Sequence, residues 1–349
     1  MTSVERGGRV AEAKKSRVTI SDIAREAGVS VPTVSKVLNG RPEVAAHTRE
    51  RVEKLITRHN YSRRANHGSG RAGLIDLVFH TLDNEWVLEI VRGVESVTHD
   101  AGVGMVVSAV HDGRKTERAW LDNLTSRRSD GIILAVTELG PRHAEQLHGL
   151  GVPVIIIDSL GQPDPRVASV GATNWSGARA AVEHLIEQGH ERIGFIGGPP
   201  QLQCSVARLD GYRSALMAAG IPVADELIAD GDFTHDRGQD AAGELLALAE
   251  PPTAIFAAND QQALGAYRTV EQRGLRIPDD ISVIGFDNLP MAQWISPALT
   301  TVDQPVATMA AEAARMVLRH AETGRFETNR VELATDLVLR ASTGPGPKA

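Results

Sequence analysis

The sequence predicts an N-terminal all-α helix-turn-helix domain followed by an α/β body of two parallel-sheet subdomains. Three observations predict it. Residues 16–40 (SRVTISDIAREAGVSVPTVSKVLNG) divide into two short amphipathic stretches around a glycine. From Gly73 onward, apolar runs of strand length alternate with runs of helix length, the pattern of parallel sheets covered on both faces. That alternation lasts roughly 270 residues, more than one hydrophobic core holds, so two similar subdomains with a cleft between them fit best.

The first helix begins near Thr19, whose hydroxyl caps the following amides, with Asp22 three residues on as a capping box. Ile23, Ala24 and Ala27 form its apolar face, and Gly28 permits the left-handed turn that ends it. Ser30 caps a second helix, and Pro32 falls in that helix's first turn, where proline is tolerated. Val34, Val37 and Leu38 point inward; Val31, Pro32, Thr33, Ser35, Lys36 and Asn39 face outward as a small, mildly basic surface. This is the shape of a helix that enters a major groove. A third helix over 44–61, with Val52, Leu55 and Ile56 on one face, closes a three-helix core.

The charge distribution agrees. The 349-residue chain carries a net −7, but residues 1–71 hold 15 Lys and Arg against 7 Asp and Glu, a net +8, and the remainder holds 22 against 37, a net −15. The basic end is an electrostatic footprint for phosphates, and the acidic body is a soluble remainder. Residues 1–15 lack periodicity and read as a disordered basic tail, and 62–72 (SRRANHGSGRA) as a linker. The single cysteine, Cys204, excludes an internal disulfide framework and a multi-cysteine metal site. The N-terminus has no apolar core of signal-peptide length, and apolar runs such as 152–157 are too short to span a bilayer, so a cytoplasmic protein is expected.

In the body, strands are expected at 74–79, 104–110, 130–136, 152–158, 169–172, 192–198, 253–260, 281–287 and in the final stretch 330–340. Helices are expected at 85–101, 115–128, 174–188, 206–219, 236–249, 261–273 and 305–322, with 299–304 as a segment crossing between subdomains. Ligands of open α/β sheets bind beyond the carboxyl ends of strands. That rule selects Leu82, Asp83 and Trp86, then Asp158, Asn259 and Asp260, and Phe286 and Asp287. Carboxylates and amides that take paired hydroxyls, beside an aromatic face for a ring to stack on, suit a sugar. Asp260 reads as structural. Trp86 has two readings, stacking and core packing; Trp175 reads as a packing or surface residue, and Trp294 as a residue covering the cleft from a loop.

V-T-I-S-D-I-A-R-E-A-G-V-S, T-V-S-K-V-L-N-G, T-R-E-R-V and N-Y over residues 18–61 together resemble the DNA-binding domain of the lactose/galactose repressor (LacI/GalR) family, and the similarity runs on through the body. The resemblance implies a periplasmic-binding-protein-like body at 73–341, with subdomain 1 at about 73–170 and 300–325, subdomain 2 at about 171–299 and 326–341, crossings near 170, 300 and 325, and a tail at 342–349. It implies a sequence-specific transcriptional regulator, a repressor released by a small sugar or oligosaccharide, which includes plant-wall-derived sugars. The alternatives are a co-repressor-dependent regulator binding a nucleobase or sugar phosphate, and a sugar transport binding protein. Partners implied are pseudo-palindromic operator DNA and a second copy of the chain, as a homodimer or a tetramer.

On this resemblance the DNA-binding residues are Thr19, Ser30, Val31, Pro32, Thr33, Ser35, Lys36 and Asn39, with Arg63 and Arg64 in the linker. Val31 and Pro32 meet bases by shape, and Lys36 donates to guanine or phosphate. The ligand set is Asp83, Trp86, Asp158, Cys204, Arg208 (in A-R-L-D-G-Y), Phe233, Asn259, Asp287 and Gln304. Cys204 has two readings, a pocket residue and a buried core thiol. The linker departs from the family pattern: Gly68 and Gly70 disfavour the hinge helix, and Gly70 stands where a wedge leucine is expected. No metal, cofactor or enzymatic activity is expected, because the sequence lacks H-E-x-x-H, G-x-S-x-G, a Walker loop and a strand-borne G-x-G-x-x-G.

Overall fold

The computed structural model describes residues 19–38, 43–59, 72–110, 123–124, 126–127, 129–135, 151–158 and 167–347. The expectations for the basic tail, for Asn39, Arg63 and Arg64, for the linker glycines and for most of the 115–128 helix lie outside these residues. The chain divides into two compact units, residues 1–68 and 69–349.

The first unit holds α1 (Ile20–Ala27), α2 (Val31–Leu38) and α3 (Ala46–Arg58). The capping box forms: the Asp22 amide donates to Thr19 Oγ1 at 3.3 Å, and the Thr19 amide donates to Asp22 Oδ2 at 3.0 Å. Gly28 ends α1 at φ 61°. The Ser30 hydroxyl takes the Thr33 amide at 3.3 Å and so caps α2. Ile23, Ala24, Ala27, Val34, Val37, Val52 and Leu55 make one buried cluster. His59, just past α3, meets Glu26 of α1 at 2.7 Å and fastens the third helix to the first.

The second unit contains two six-stranded sheets. The first has the order β11-β5-β4-β3-β1-β2, all parallel. Its strands are β1 (Leu74–Phe79), β2 (Gly104–Ala109), β3 (Gly131–Ala135), β4 (Val154–Ile157), β5 (Ala168–Ala172) and β11 (Arg330–Leu333). The second has the order β12-β10-β9-β8-β6-β7, with only β12 antiparallel. Its strands are β6 (Ile193–Ile196), β7 (Ile228–Ala229), β8 (Ala254–Ala257), β9 (Ser282–Asp287), β10 (Thr300–Asp303) and β12 (Asp336–Val338). Side-chain alternation supplies a core on each face. Leu77, Ile133 and Ile155 line one face of the first sheet, and Val78, Ile132 and Leu134 the other. Phe195, Phe256 and Phe286 line one face of the second, and Ile196, Ile255 and Val283 the other.

Helices cover these faces: α4 (Glu85–Ala101), α5 (Asn174–Glu187), α6 (Gln203–Ala218), α7 (His235–Leu245), α8 (Asp260–Gln272), the short α9 (Met291–Trp294) and α10 (Val306–Thr323). α10 packs along α4, and a Cβ at Gly93 would lie 2.1 Å from the Ala307 carbonyl oxygen. Glycine is what lets these two backbones approach. Asp130 accepts from the amides of Ala72 and Gly73 at 3.2 and 3.1 Å and pins the start of β1. Among the described residues, no helix is long and apolar enough to cross a membrane.

Three expectations need correction. Residues 300–303 are not yet a crossing: they form buried strand β10, paired with β9 in the second sheet, so the chain crosses at Gln304–Pro305. The last crossing is not near 325. β11 pairs with β5, its Val331 and Leu333 pack on the first core, and the chain leaves that sheet only after Leu333. The described part of the 342–349 tail is anchored. Ser342 is buried and exchanges hydrogen bonds with Val283, and Gly344 is held by Ser282 and His190.

At the crossings, two strands are laced together. The Thr335 amide donates to Thr173 Oγ1 at 3.0 Å, and the Thr335 hydroxyl donates to the Thr173 carbonyl at 3.1 Å. The Thr173 amide donates back to the Leu333 carbonyl at 2.9 Å.

Candidate functional site

Two surfaces carry candidate functional residues. On α2, Val31, Pro32 and Lys36 are exposed, while Thr33 and Ser35 are half-exposed. Ser30 and Thr33 share a 2.8 Å hydroxyl contact, so both are engaged in starting the helix. Thr19 is engaged in the capping box of α1. The exposed face is small, apolar at its N-terminal end and cationic at Lys36, and it projects from a core fixed by the other two helices.

The second surface lies where strands of both sheets end at the crossings. At its centre is Arg208 on α6, buried at 2 % exposure. Its Nε donates to Asn174 Oδ1 at 2.9 Å, Nη1 to the Ala258 carbonyl at 2.5 Å and Nη2 to Gln304 Oε1 at 3.4 Å. The guanidinium lies over the Phe286 ring at 3.7 Å, with the Phe233 ring at 5.7 Å. Asp287, at the end of β9, stands 3.5 Å from Nη2. Gln304, on the second crossing, donates to Asp158 Oδ2 at 2.8 Å. Gln304 therefore joins Asp158, at the end of β4 in the first sheet, to Arg208 on the side of the second.

The local electrostatics are acidic. Burial pushes Asp287 well above the usual carboxylate range; Arg208 opposes the push, and Asp260 and Asp158 add to it. Burial also raises Asp158, against Arg208, Gln304 and Asn174. Asp287 Oδ1 and the buried Ser205 hydroxyl have no hydrogen-bond partner. Burial and the Asp158 carboxylate push the Cys204 thiol up to about 12. Cys204 thus lies within the field of the polar centre and is also buried, which merges its two readings. Asp158, Phe233 and Asp287 hold positive φ of 51°, 71° and 108°. Such backbone is strained for these residue types, and strain of this kind concentrates at functional sites.

The other sequence-selected residues fall in different places. Asn259 caps α8, accepting from the Gln262 amide at 2.9 Å, and its Nδ2 donates to the Phe233 carbonyl at 3.0 Å. It acts on the centre through Phe233. Asp260 is fully buried and accepts from the Thr301 hydroxyl and the Leu289 amide, a structural position. Trp86 packs against the first-sheet core, its packing reading. Asp83 is exposed and accepts from Thr81 at 2.7 Å; no hydrogen bond joins it to the Arg208 group. Trp175 is 41 % exposed and lies against Arg179, and Trp294 is 75 % exposed on α9. Sequence reasoning missed Asn174, the first residue after a crossing. It also missed the 3.3 Å bond from Gln261 to Glu85, which links the first turns of α8 and α4 across the cleft. Asn174 stands two residues past the end of β5, and Glu85 and Gln261 lie in the first turns of the helices that follow β1 and β8, so the strand-end rule reaches them only if widened to the next helix's first turn, and it does not name their partners.

A scan against family models matches "Bacterial regulatory proteins, lacI family" over residues 19–64 and "Periplasmic binding protein-like domain" over 182–343. Catabolite control protein A of Priestia megaterium is 33% identical over 330 residues, covering 93% of this chain and 99% of that one. The chain belongs to the LacI family of bacterial regulatory proteins. The transcriptional regulator CelR of Thermobifida fusca is 34% identical over 338 residues, 94% of this chain and 99% of that one. Among solved structures, a complex of the regulator CelR with cellobiose aligns with a TM-score of 0.73 at 33% identity, covering 93% and 100%. A lac repressor dimer bound to operator and an anti-inducer aligns with a TM-score of 0.75 at 30% identity, covering 94% and 99%. This LacI-family chain is a DNA-binding transcriptional regulator, and its α1–α2 pair is the family's helix-turn-helix.

Proposed function

We propose that this LacI-family regulator is a cytoplasmic homodimeric repressor released from its operator by a neutral sugar bound at the Arg208 centre. The observation that carries the reading is the chain Asp158–Gln304–Arg208–Asp287, which brings polar groups from both subdomains to one crossing. A polyhydroxyl ligand supplies donors and acceptors in pairs; Asp287 Oδ1 and the Ser205 hydroxyl offer it unused positions, and the Phe233 and Phe286 rings offer apolar faces. The relative solved with cellobiose supports a sugar. Two carboxylates against one guanidinium oppose a sugar phosphate. The reading is of a binding module rather than an enzyme: the pocket thiol is held un-ionised, and Arg208, Asn174, Gln304 and Asp158 are engaged with one another.

In this mechanism, two copies of α2 enter successive major grooves of a pseudo-palindrome, with Val31 and Pro32 packing on bases and Lys36 donating to guanine or phosphate. Sugar drawn between Asp158 and Arg208 changes the angle between subdomains, and operator affinity falls. Coupling of this type is about 1–3 kcal/mol, a 5–150-fold change in affinity. Fluorescence anisotropy on DNA from the protein's own upstream region, with cellobiose and a panel of mono- and disaccharides, tests it. Release by one sugar in the parent, and loss of that response with retained DNA binding in Asp287→Ala, is the expected pair of results. An Asp287→Ala protein that responds like the parent places the pocket elsewhere, and affinity strengthened by the small molecule reverses the sign.

A further inference from the structure

We propose that Asn174 is a positioning residue that aims Arg208 and ties it to the hinge backbone, so that sugar contact at Arg208 is felt at the first crossing. This rests on the sugar reading of the cleft given above.

Asn174 is buried, at 7 % exposure, and is the first residue of α5. Asparagine at the start of a helix usually caps it. Here the N-cap residue is Thr173, which makes no side-chain cap, and the Asn174 amide points elsewhere. Its Oδ1 accepts from Arg208 Nε at 2.9 Å. Its Nδ2 donates to the carbonyl of Ala172, the last residue of β5, at 3.2 Å. One amide thus joins α6 of the second subdomain to the end of β5 in the first.

The geometry makes this connection directional. A guanidinium is a rigid planar fork, so fixing the Nε–H direction fixes where both Nη groups point. Nη1 is held by the Ala258 carbonyl at 2.5 Å, whereas Nη2 has only a 3.4 Å bond to Gln304 and a 3.5 Å approach to Asp287. Nη2 is the loosely held end, open to a ligand hydroxyl. A ligand that draws on it turns the plane about Nε and loads the Asn174 amide. That amide is bonded to Ala172, next to Thr173, whose hydroxyl and carbonyl are laced to Thr335 on the third crossing. The path from pocket to hinge is therefore Arg208, Asn174, Ala172–Thr173 and Thr335, each step a hydrogen bond or a peptide bond.

Asn174→Ala and Asn174→Asp separate the two halves of the role. The Ala variant removes the acceptor for Nε and the donor to Ala172. The Asp variant keeps the acceptor and puts a second oxygen against the Ala172 carbonyl. Nitrogen NMR of the full-length protein reads the Arg208 Nε–H, assigned by its absence in Arg208→Lys. The parent and Asn174→Asp should show a protected signal, and Asn174→Ala should lose it. Hydrogen exchange of the peptide spanning 168–176 should speed by about tenfold in both variants, as a local opening made easier. Release by cellobiose, expressed as operator Kd with saturating sugar over Kd without, should fall toward about 1 in both, from a parental factor within about 5–150. That ratio is unmoved by a uniform loss of folded protein. A protected Nε–H in Asn174→Ala, or parental exchange at 168–176 in Asn174→Asp, overturns the proposal. If the parent itself ignores cellobiose and the sugar panel, the sugar reading fails, and the NMR and exchange results still decide whether Asn174 holds Arg208 to the hinge.

Discussion

Asp260 lies fully buried, and its protonation bears on the stability of the body. Burial pushes it up to about 7, against hydrogen bonds from Thr301 and Leu289 and the charges of Arg340 and Arg208. In the unfolded chain it returns to the ordinary Asp value near 3.8. Between these values the folded state holds more protons than the unfolded state, so stability is greatest on the acid side and falls as pH rises through about 7. Asp287 and Asp158 are raised too and act in the same direction. The urea midpoint should therefore drop between about pH 5 and pH 7 and level off above that. All four tryptophans lie beyond residue 85, so their fluorescence follows the body alone. Asp260→Asn should flatten that drop without abolishing it; an unchanged slope would place the titration elsewhere. At this scale the sequence was readable where a strand's end decides the position: Asp158 and Asp287 are both picked by the strand-end rule. Asn174 was not readable, because Arg208, the partner it orients, lies 34 residues along the chain and only the fold brings the two together.

The elements follow local chemistry, and α3, like α6 after Leu202, starts without a side-chain cap. Its first turn follows Ala45, which offers a backbone carbonyl to the amides of Thr48 and Arg49, both at 3.0 Å, but no side-chain acceptor. Ala45→Ser supplies one and should stabilise the three-helix unit by about 1 kcal/mol, seen as a higher midpoint in far-ultraviolet circular dichroism of its early transition. No gain would mean that serine's hydroxyl is turned away from the Thr48 amide. α1 shows the opposite case, since its capping box and left-handed glycine are written in Thr19, Asp22 and Gly28. Apart from the short β7 and α9, the described helices and strands of the body were legible from periodicity within a few residues. The crossings were less so. β10 reads T-T-V-D, a short polar run that fits a connection as well as a strand, and only its burial between β9 and β12 makes it one. Likewise V-E-L at β11 alternates as an edge strand does, and nothing in the run says which of two sheets receives it.

Across the whole molecule, charge and connectivity divide the labour. The +8 of residues 1–71 against the −15 of the remainder means that phosphate attraction resides in the N-terminal portion, and the body repels DNA at long range. Operator affinity should fall steeply with salt, with a log–log slope of about −0.9 per phosphate neutralised. Lys36→Ala should reduce that slope by about 1 if Lys36 meets phosphate. An unchanged slope with altered base preference would assign Lys36 to guanine instead. The two-subdomain plan was legible from length and alternation, and the family resemblance placed the head and the interleaving of the subdomains, but which sheet receives β10 and β11 was visible only in the strand order. That interleaving bears on how the protein is made. The first sheet lacks its β11 edge, and the second lacks β12 and the anchored stretch at Ser342–Gly344, until the C-terminal residues arrive. A ribosome delivers those strands after all the others, so neither half can be finished before them. The body completes itself only once they emerge, and a chain interrupted near Gly324 would present two open sheet edges to chaperones and proteases.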